Sequence, residues 1–471
     1  MRKLSRLLFS LNFLYVLLIA AETAAIIFLC LYLPAFMSVA AAFAGVWLIT
    51  TIAAVCAATS RGSAETNCAA ILFIIALPVA GAVIYFITRA GKRKCCRLKV
   101  NGGVSLNGEE RAAKLYCGTG GADYDKALYF KSGAEYFSTL FSEIEKAQKY
   151  VCLEYFIVCR GKIFARLVSA LRVAKSRGAE IKIIVDGIGS AFKAGRREYK
   201  TLKALGEVKI FNRLSPLLGT GINNRDHRKI AVVDGRVAFT GGFNIADEYA
   251  NITGPFGYWK DTGVALYGCA AKVFGGMFFA MWGDGYEMPA ETGGKYRCIP
   301  YCDSPPTRTA YCENAYLAAI SAARRRVHVF TPYFCTGEKL TAALTTAAAR
   351  GVDVRVIIPH IPDKKYALEL SRACAAELSA HGVKFYEYTP GFMHAKSMVC
   401  DDKLYIGSYN MDIRSMRLNY ECGVMLEGRV CEQAERDFWE CVRLSAPFTE
   451  GKLSPPRRAV RFIIKLFAPL M

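Results

Sequence analysis

The stretch His227-Arg228-Lys229-Ile230-Ala231-Val232-Val233-Asp234 is written twice in this chain, returning as His394-Ala395-Lys396-Ser397-Met398-Val399-Cys400-Asp401. One short hairpin later, each copy reaches a pair of small residues and an asparagine: Gly241-Gly242-Phe243-Asn244 and Gly407-Ser408-Tyr409-Asn410. Two of the chain's five histidines stand at the same place in the two copies. One match of this length is a weak signal. The same match in tandem implies an internal repeat and a twofold site, to which each half gives a histidine, a lysine and an asparagine.

Working outward, the same plan surrounds both copies. A helix-period stretch, Tyr136 to Ala147, leads into an apolar strand, Tyr150 to Val158. A helix (Ile163 to Lys175), a strand (Ile181 to Val185), a further helix and a strand (Val208 to Phe211) precede the His227 hairpin. The second copy runs Ala315 to Arg325, Val327 to Phe330, Leu340 to Ala349, Val352 to Ile358 and Lys384 to Tyr388 before the His394 hairpin. Strands alternating with helices predict an α/β fold, a mixed sheet covered by helices in each half. The halves cover residues 131–300 and 301–450, with their motifs at 221–248 and 388–415, and share one active site.

Within each hairpin, side chains alternate between faces. His227 and Lys229 therefore share a face, as do His394 and Lys396. Asp234 and Asp401 complete the catalytic motifs but have the opposite parity and sit where the chain turns. A turn aspartate bonds its own backbone, so both read as organising the hairpin. Asn244 and Asn410 lie past the turn, where an amide can reach back to bind substrate.

Two imidazoles, two ammoniums and two amides converging on one point suit a phosphodiester. Lysines and amides hold non-bridging oxygens and stabilise the charge of the transition state. One histidine attacks phosphorus while the other protonates the leaving alcohol. This chemistry calls for no metal and no cofactor. A pair of buried core histidines would leave the repeated lysine and asparagine unexplained.

The chain carries 61 Lys+Arg against 40 Asp+Glu, a net charge of +21, which suits nucleic acid or an anionic bilayer. The first ninety residues point to the bilayer. Apolar runs at Leu7–Leu33, Ala35–Ala58 and Cys68–Thr88 are each long enough to span it. They predict a multi-pass transmembrane region over 1–90, of two to three spans, and a protein that does not act on nucleic acid. Arg2, Lys3 and Arg6 would also suit a signal peptide, but two further apolar runs follow. Glu22 inside the first run is expected to face another helix or an interface. The dense basic cluster from Arg89 to Lys99 places the catalytic part on the cytoplasmic side.

Residues 91–130 read as a connector, and 451–471 as a basic amphipathic tail. In the tail, Val460, Ile463, Ile464 and Phe467 recur at helical spacing among Arg457, Arg458, Arg461 and Lys465, the pattern of a membrane-surface helix. The 18 cysteines show no framework, and Cys298 and Cys302 lack a second ligand pair at zinc-site spacing. They read as reduced thiols.

The doubled His-x-Lys-x4-Asp motif resembles that of the phospholipase D superfamily, and the wider text resembles the bacterial cardiolipin synthases. Leu153-Glu154-Tyr155-Phe156, Asn223-Asn224-Arg225-Asp226-His227, Trp259-Lys260-Asp261-Thr262, Thr331-Pro332-Tyr333-Phe334 and Asn410-Met411-Asp412-Ile413-Arg414-Ser415 carry the likeness. It implies a bacterial membrane enzyme that condenses two phosphatidylglycerols into cardiolipin and glycerol through a phosphohistidine. It further implies His227 as nucleophile, His394 as acid/base, and a carboxylate downstream of each motif orienting its histidine, Asp261 and Glu421 respectively.

One departure stands out. Six residues separate Asp234 from Gly241, but only five separate Asp401 from Gly407. If the turn absorbs the loss, Asn410 still faces the pocket; otherwise the side chains change faces. The same site with water as acceptor would make a hydrolytic phospholipase D or a nuclease, and with another donor or acceptor a different phosphatidyltransferase. A non-enzymatic membrane scaffold would not need complete motifs in both halves.

Overall fold

The structure, a computed structural model, describes residues 21–22, 24–25, 38–59, 64–89, 100–101, 121–190, 196–212, 224–283, 288–289, 294–305, 310–451 and 454–467. Its residues cluster into two compact units, one holding the N-terminal helices and the other holding both repeats.

In the N-terminal unit, α1 (Ser38–Ala58), α2 (Ala64–Ala76) and α3 (Pro78–Arg89) pack through Ala53, Ala57, Ile74, Ala82 and Tyr85. The expected span Cys68–Thr88 is not one helix. Pro78 lacks an N–H and its ring crowds the preceding turn, so α2 stops at Ala76 and α3 begins afresh. Each piece is roughly 18–20 Å long, short of a ~30 Å hydrocarbon core. Among the described residues no helix is long and apolar enough to cross a membrane. The run Leu7–Leu33 lies outside the described residues except for Ala21, Glu22, Ala24 and Ala25. Glu22 does face another helix: its carboxylate accepts the N–H groups of Val79 and Ala80 at 2.5 and 2.7 Å, at the N-terminus of α3.

The larger unit holds two sheets. The first contains β2 (Lys126–Phe130), β3 (Tyr150–Tyr155), β4 (Glu180–Asp186), β5 (Glu207–Phe211), β6 (Lys229–Val233), β7 (Val237–Gly241) and β9 (Gly263–Tyr267), in the order β2-β9-β7-β6-β3-β4-β5. Helices α4 (Gly133–Glu145) and α5 (Lys162–Ser176) cover its outer face, and α6 (Arg196–Leu205) leads into β5. Between β7 and β9 lies the short β8 (Tyr258–Lys260), and α7 (Cys269–Trp282) follows β9.

The second sheet repeats this order. It contains β1 (Ala122–Tyr124), β10 (Tyr296–Asp303), β11 (Arg326–Phe330), β12 (Asp353–Pro359), β13 (Lys384–Tyr388), β15 (Ser397–Cys400), β16 (Lys403–Gly407), β17 (Glu421–Glu427) and β18 (Ser445–Pro447). They run β1-β10-β17-β16-β15-β11-β12-β13-β18, so the repeat is extended by one strand at each edge. Helices α8 (Tyr311–Ala322), α9 (Glu338–Ala349) and α10 (Lys365–Ser379) belong to this half, with the short β14 (Gly391–Met393), α11 (Ile413–Arg417) and α12 (Arg429–Arg443), the last in the place of α7. The inner faces meet in one apolar layer: Ile230, Val232 and Leu266 from the first sheet, Ile406, Val424 and Leu426 from the second, and Phe274 and Phe278 of α7.

Two boundaries differ from expectation. The connector 91–130 contains β1 and β2, edge strands of three and five residues, too short for a periodic signal. β10 straddles the expected division at residue 300 and lies in the second sheet. The shortened hairpin is resolved in its turn. Val233 pairs with Val237 across three residues, whereas Cys400 pairs with Lys403 across two, yet Ile230↔Thr240 and Ser397↔Ile406 keep one register. Among the described cysteines none forms a disulfide.

The tail forms α13 (Pro455–Phe467). Arg457 and Arg461 both reach Glu369 of α10, at 2.5 and 3.2 Å, while Val460 and Phe462 are exposed.

Candidate active site

The residues before each histidine leave their own half. β14 runs parallel to β8, pairing Phe392 with Trp259 and Met393 with Lys260. Asp226 makes the corresponding parallel bridge to Tyr420. His394 N–H donates to the Lys260 carbonyl at 2.7 Å, and His227 N–H to the Tyr420 carbonyl at 2.9 Å. The next residues in those partner strands are Asp261 and Glu421. Each half thus delivers a carboxylate to the other half's histidine.

His227 Nδ1 lies 3.0 Å from both Glu421 oxygens, and His394 Nδ1 lies 2.6 Å from Asp261 Oδ2. The sequence reading attached Asp261 to the His227 motif and Glu421 to the His394 motif. The structure exchanges them, because the strand that carries each carboxylate pairs across the repeat. The two carboxylates are also held differently. Glu421 accepts from Ser408 Oγ at 2.5 Å and from Asn419 Nδ2 at 3.1 Å. Asp261 lies against Gly242, where an added Cβ would fall 1.9 Å from its Oδ1. Glycine at that position leaves the carboxylate its room.

Lys229 and Lys396 are buried and curl back on their own motifs. Lys229 Nζ donates to the His227 carbonyl at 2.5 Å, and Lys396 Nζ to the His394 carbonyl. Lys396 Nζ also lies 2.8 and 3.1 Å from the two nitrogens of the His394 ring. Aromatic rings wall the site: Phe156 meets His227 edge-on, and Tyr249 and Trp259 flank His394.

Asn244 and Asn410 differ. Asn244 accepts from Ile157 N–H at 3.1 Å and donates to Tyr249 Oη at 2.6 Å, so its amide fastens the loop behind the pocket instead of standing open for substrate. Asn410 donates to Asp412 at 3.1 Å, and its buried Oδ1 has no hydrogen-bond partner among the described residues. Asp234 and Asp401 lie at the turns, as their parity predicts, with φ of 54° and 49°. Asp234 accepts from the N–H groups of Gln148, Lys149 and Tyr150, and Asp401 from those of Arg324, Arg325 and Arg326.

Burial sets the electrostatics. It lowers the His227 pKa well below the usual histidine value, with Lys229 and Lys396 adding to the effect. It brings Lys229 down to about 8 against the pull of Glu421, and Lys396 to about 7 against that of Asp261. Burial raises Asp261 and Glu421 to about 7, with Lys396 and Lys229 respectively as the leading opposing charges. His227 is therefore a neutral imidazole at neutral pH. Glu421 holds its Nδ1 and leaves Nε2 with a free lone pair.

Several supports had no signal of their own in the sequence. Ser408 belongs to the small pair after the second motif and Asn419 stands two residues before Glu421, but their contact with Glu421 depends on the pairing of β16 with β17. Buried Lys260 pairs with Asp437 of α12 at 2.7 Å, tying the Asp261 strand to the second half. Asp437, a charge within the buried stripe of α12, was the available clue.

Residues 140–252 and 316–442 match the family model described as cardiolipin synthase, PLD-like domain. A curated protein of Streptococcus mutans, described as uncharacterized, is 36% identical over 74% of this chain and 78% of its own length. A cardiolipin synthase of Geobacillus thermodenitrificans is 35% identical over 72% of this chain and 71% of its own. The crystal structure of phosphatidylserine synthase from Haemophilus influenzae superposes with a TM-score of 0.60 at 13% identity, covering 77% of this chain and 98% of that one, a likeness of fold. With both repeats matched and relatives of this identity, the chain belongs to the cardiolipin synthases of the phospholipase D superfamily.

Proposed function

We propose that this enzyme transfers a phosphatidyl group from one phosphatidylglycerol to the headgroup hydroxyl of another, giving cardiolipin and glycerol. His227 Nε2 attacks phosphorus. The bond to the departing glycerol oxygen breaks as the P–N bond forms, and His394 gives that oxygen its proton. An acceptor hydroxyl then yields its proton to His394 and displaces the histidine. Lys229 and Lys396 neutralise the non-bridging oxygens, and Asp261 supports the His394 imidazolium. The crossed histidine–carboxylate pairs, with His227 neutral, carry this reading.

The exposed Trp47, Ile49, Val55 and Phe86 of the N-terminal helices support membrane attachment of this region. Spanning by the N-terminal region and a cytoplasmic catalytic part remain the expectation from its apolar runs and basic flank.

Quenching in alkaline detergent, which preserves the P–N bond, after exposure to donor labelled at phosphorus tests the mechanism. His227→Ala should retain no adduct. His394→Ala should lose nearly all turnover but still label His227 slowly from a nitrophenyl phosphatidyl ester, whose leaving group needs no proton. Label on His394 in the His227→Ala variant would reverse the roles, and active enzyme with no label on either would sink the covalent route.

A further inference from the structure

The repeat allows each half to serve as the reference for the other, and one position breaks the correspondence in a way that points to a ligand. Tyr150↔Glu180 and Arg326↔Asp353 are equivalent pairs in the two sheets, which makes Ser190 the counterpart of Asp363 and Val158 that of Phe334. In the first half Ser190 is buried and satisfied by backbone: Val158 N–H donates to its Oγ at 3.1 Å, and it donates to the Phe156 carbonyl at 3.0 Å. In the second half the same task falls to Ser371 of α10, whose Oγ accepts from Phe334 N–H at 3.0 Å. Asp363 is thereby released from any backbone duty. Tyr333 Oη donates to its Oδ2 at 2.5 Å, and its buried Oδ1 has no hydrogen-bond partner among the described residues.

This pair lies beside the His394 end of the site. The Tyr333 ring is 6.5 Å from that of Phe392, which is 5.8 Å from the His394 ring. The Thr331 hydroxyl accepts from Met411 N–H at 3.0 Å and donates to the Tyr333 carbonyl at 2.8 Å, fixing the Tyr333 loop beside Asn410. The charge of Asp363 is also felt by Lys396. A buried acceptor oxygen without a donor is costly unless a ligand supplies one.

We propose that Asp363, held by Tyr333, accepts hydrogen bonds from the hydroxyl groups of the glycerol headgroup and so selects a polyol over a simple alcohol or water as acceptor. The inference rests on the phosphatidyl-transfer reading above. Acceptor glycerol gives one hydroxyl to phosphorus: its P–O bond forms as the P–N bond to His227 breaks, and its proton passes to His394. The neighbouring hydroxyl donates to Asp363. A site built to bond a hydroxyl rejects an analogue that lacks it far more strongly than an apolar pocket does.

The test uses the full chain in mixed micelles free of phosphatidylglycerol, with a nitrophenyl phosphatidyl ester as donor and glycerol and n-butanol as competing acceptors. The nitrophenol burst reads formation of the intermediate, and the ratio of phosphatidylglycerol to phosphatidylbutanol reads selection. In Asp363→Ala the burst should stay within about threefold of wild type while the ratio falls at least ~10-fold. Tyr333→Phe, which removes only one hydroxyl, should lower the ratio by about threefold. A normal burst with an unchanged ratio in both variants would overturn this inference alone. Loss of the burst, with equal loss of both alcohol products, would also overturn it and mark Asp363 as a structural support. A wild-type enzyme that forms neither alcohol product would overturn the phosphatidyl-transfer reading and this inference with it.

Discussion

Lys396 shows what the site demands of single residues. Its amine is buried between Asp261 and the carbonyl it caps, and burial brings its pKa to about 7. Between pH 7 and the ordinary lysine value the unfolded chain holds this proton and the folded chain does not, so the contribution of Lys396 to stability rises with pH across that window. Asp261 and Glu421, raised to about 7, act in the opposite sense: protonated in the fold and ionised outside it from about pH 4 upward, they make stability fall as pH climbs to 7. The site is thus least favourable to folding near neutrality, where it must work. Lys396→Met should abolish turnover yet raise the urea midpoint at pH 7 by the equivalent of about 1–3 kcal/mol, with the gain shrinking toward pH 10. Equal or lower stability at pH 7 would refute it. Gly242→Ser, which copies Ser408 into the first half, should push Asp261 off His394 and cut kcat by about 100-fold or more, whereas an unchanged kcat would show that the loop gives way.

Among elements, the two hairpins were the most legible, and the reason is local. Histidine, lysine, aspartate and the small pair lie within one strand–turn–strand, where parity and turn chemistry suffice. The aspartates illustrate how far such reading goes. Each sits at a turn and accepts three successive N–H groups from the start of a neighbouring strand, a contact that also explains why α8 stops at Ala322 rather than at Arg325. The N–H groups of Arg324 and Arg325 belong to Asp401. Asp234→Asn should therefore cost about 1–3 kcal/mol of stability and leave kcat within about threefold, measured by urea unfolding and by turnover on folded protein. A large loss of kcat in a fully folded variant would contradict this. The exchange of carboxylates was not legible, because it depends on parallel pairing between Gly391–Met393 and Tyr258–Lys260, more than a hundred residues apart. Nor were the supports that differ between halves. Arg228 and Glu154, 3.9 Å apart and fully buried, occupy the places that Ala395 and Phe330 fill in the second half with apolar contact. Either solution satisfies the fold, so only the structure distinguishes them.

At the scale of the whole molecule, composition and apolar runs pointed to a membrane, but hydropathy is blind to where helices break, and Pro78 divides what read as one span. The tail shows a similar partial success. Its amphipathic spacing predicted a helix, whereas the attachment of Arg457 and Arg461 to Glu369 could not be read from it. The faces left open, Val460 and Phe462, should meet lipid. Val460→Ser with Phe462→Ser should weaken binding to phosphatidylglycerol vesicles about 10-fold and spare turnover on a micellar nitrophenyl donor. Unaltered vesicle binding in a flotation assay would remove the tail from the membrane contact. The crossed carboxylates carry a consequence of another kind. They give one continuous chain the arrangement of two identical subunits sharing an active site at their dyad. In a true pair of identical subunits every substitution appears twice, so no change can suit one partner without being imposed on its mate. Joining the copies lifts that constraint while keeping each dependent on the other for its carboxylate. Ser408 opposite Gly242, Glu421 opposite Asp261 and Asp363 opposite Ser190 are places where the duplicates have already parted, and a division of labour between two histidines is inherited most readily by copies that can no longer separate.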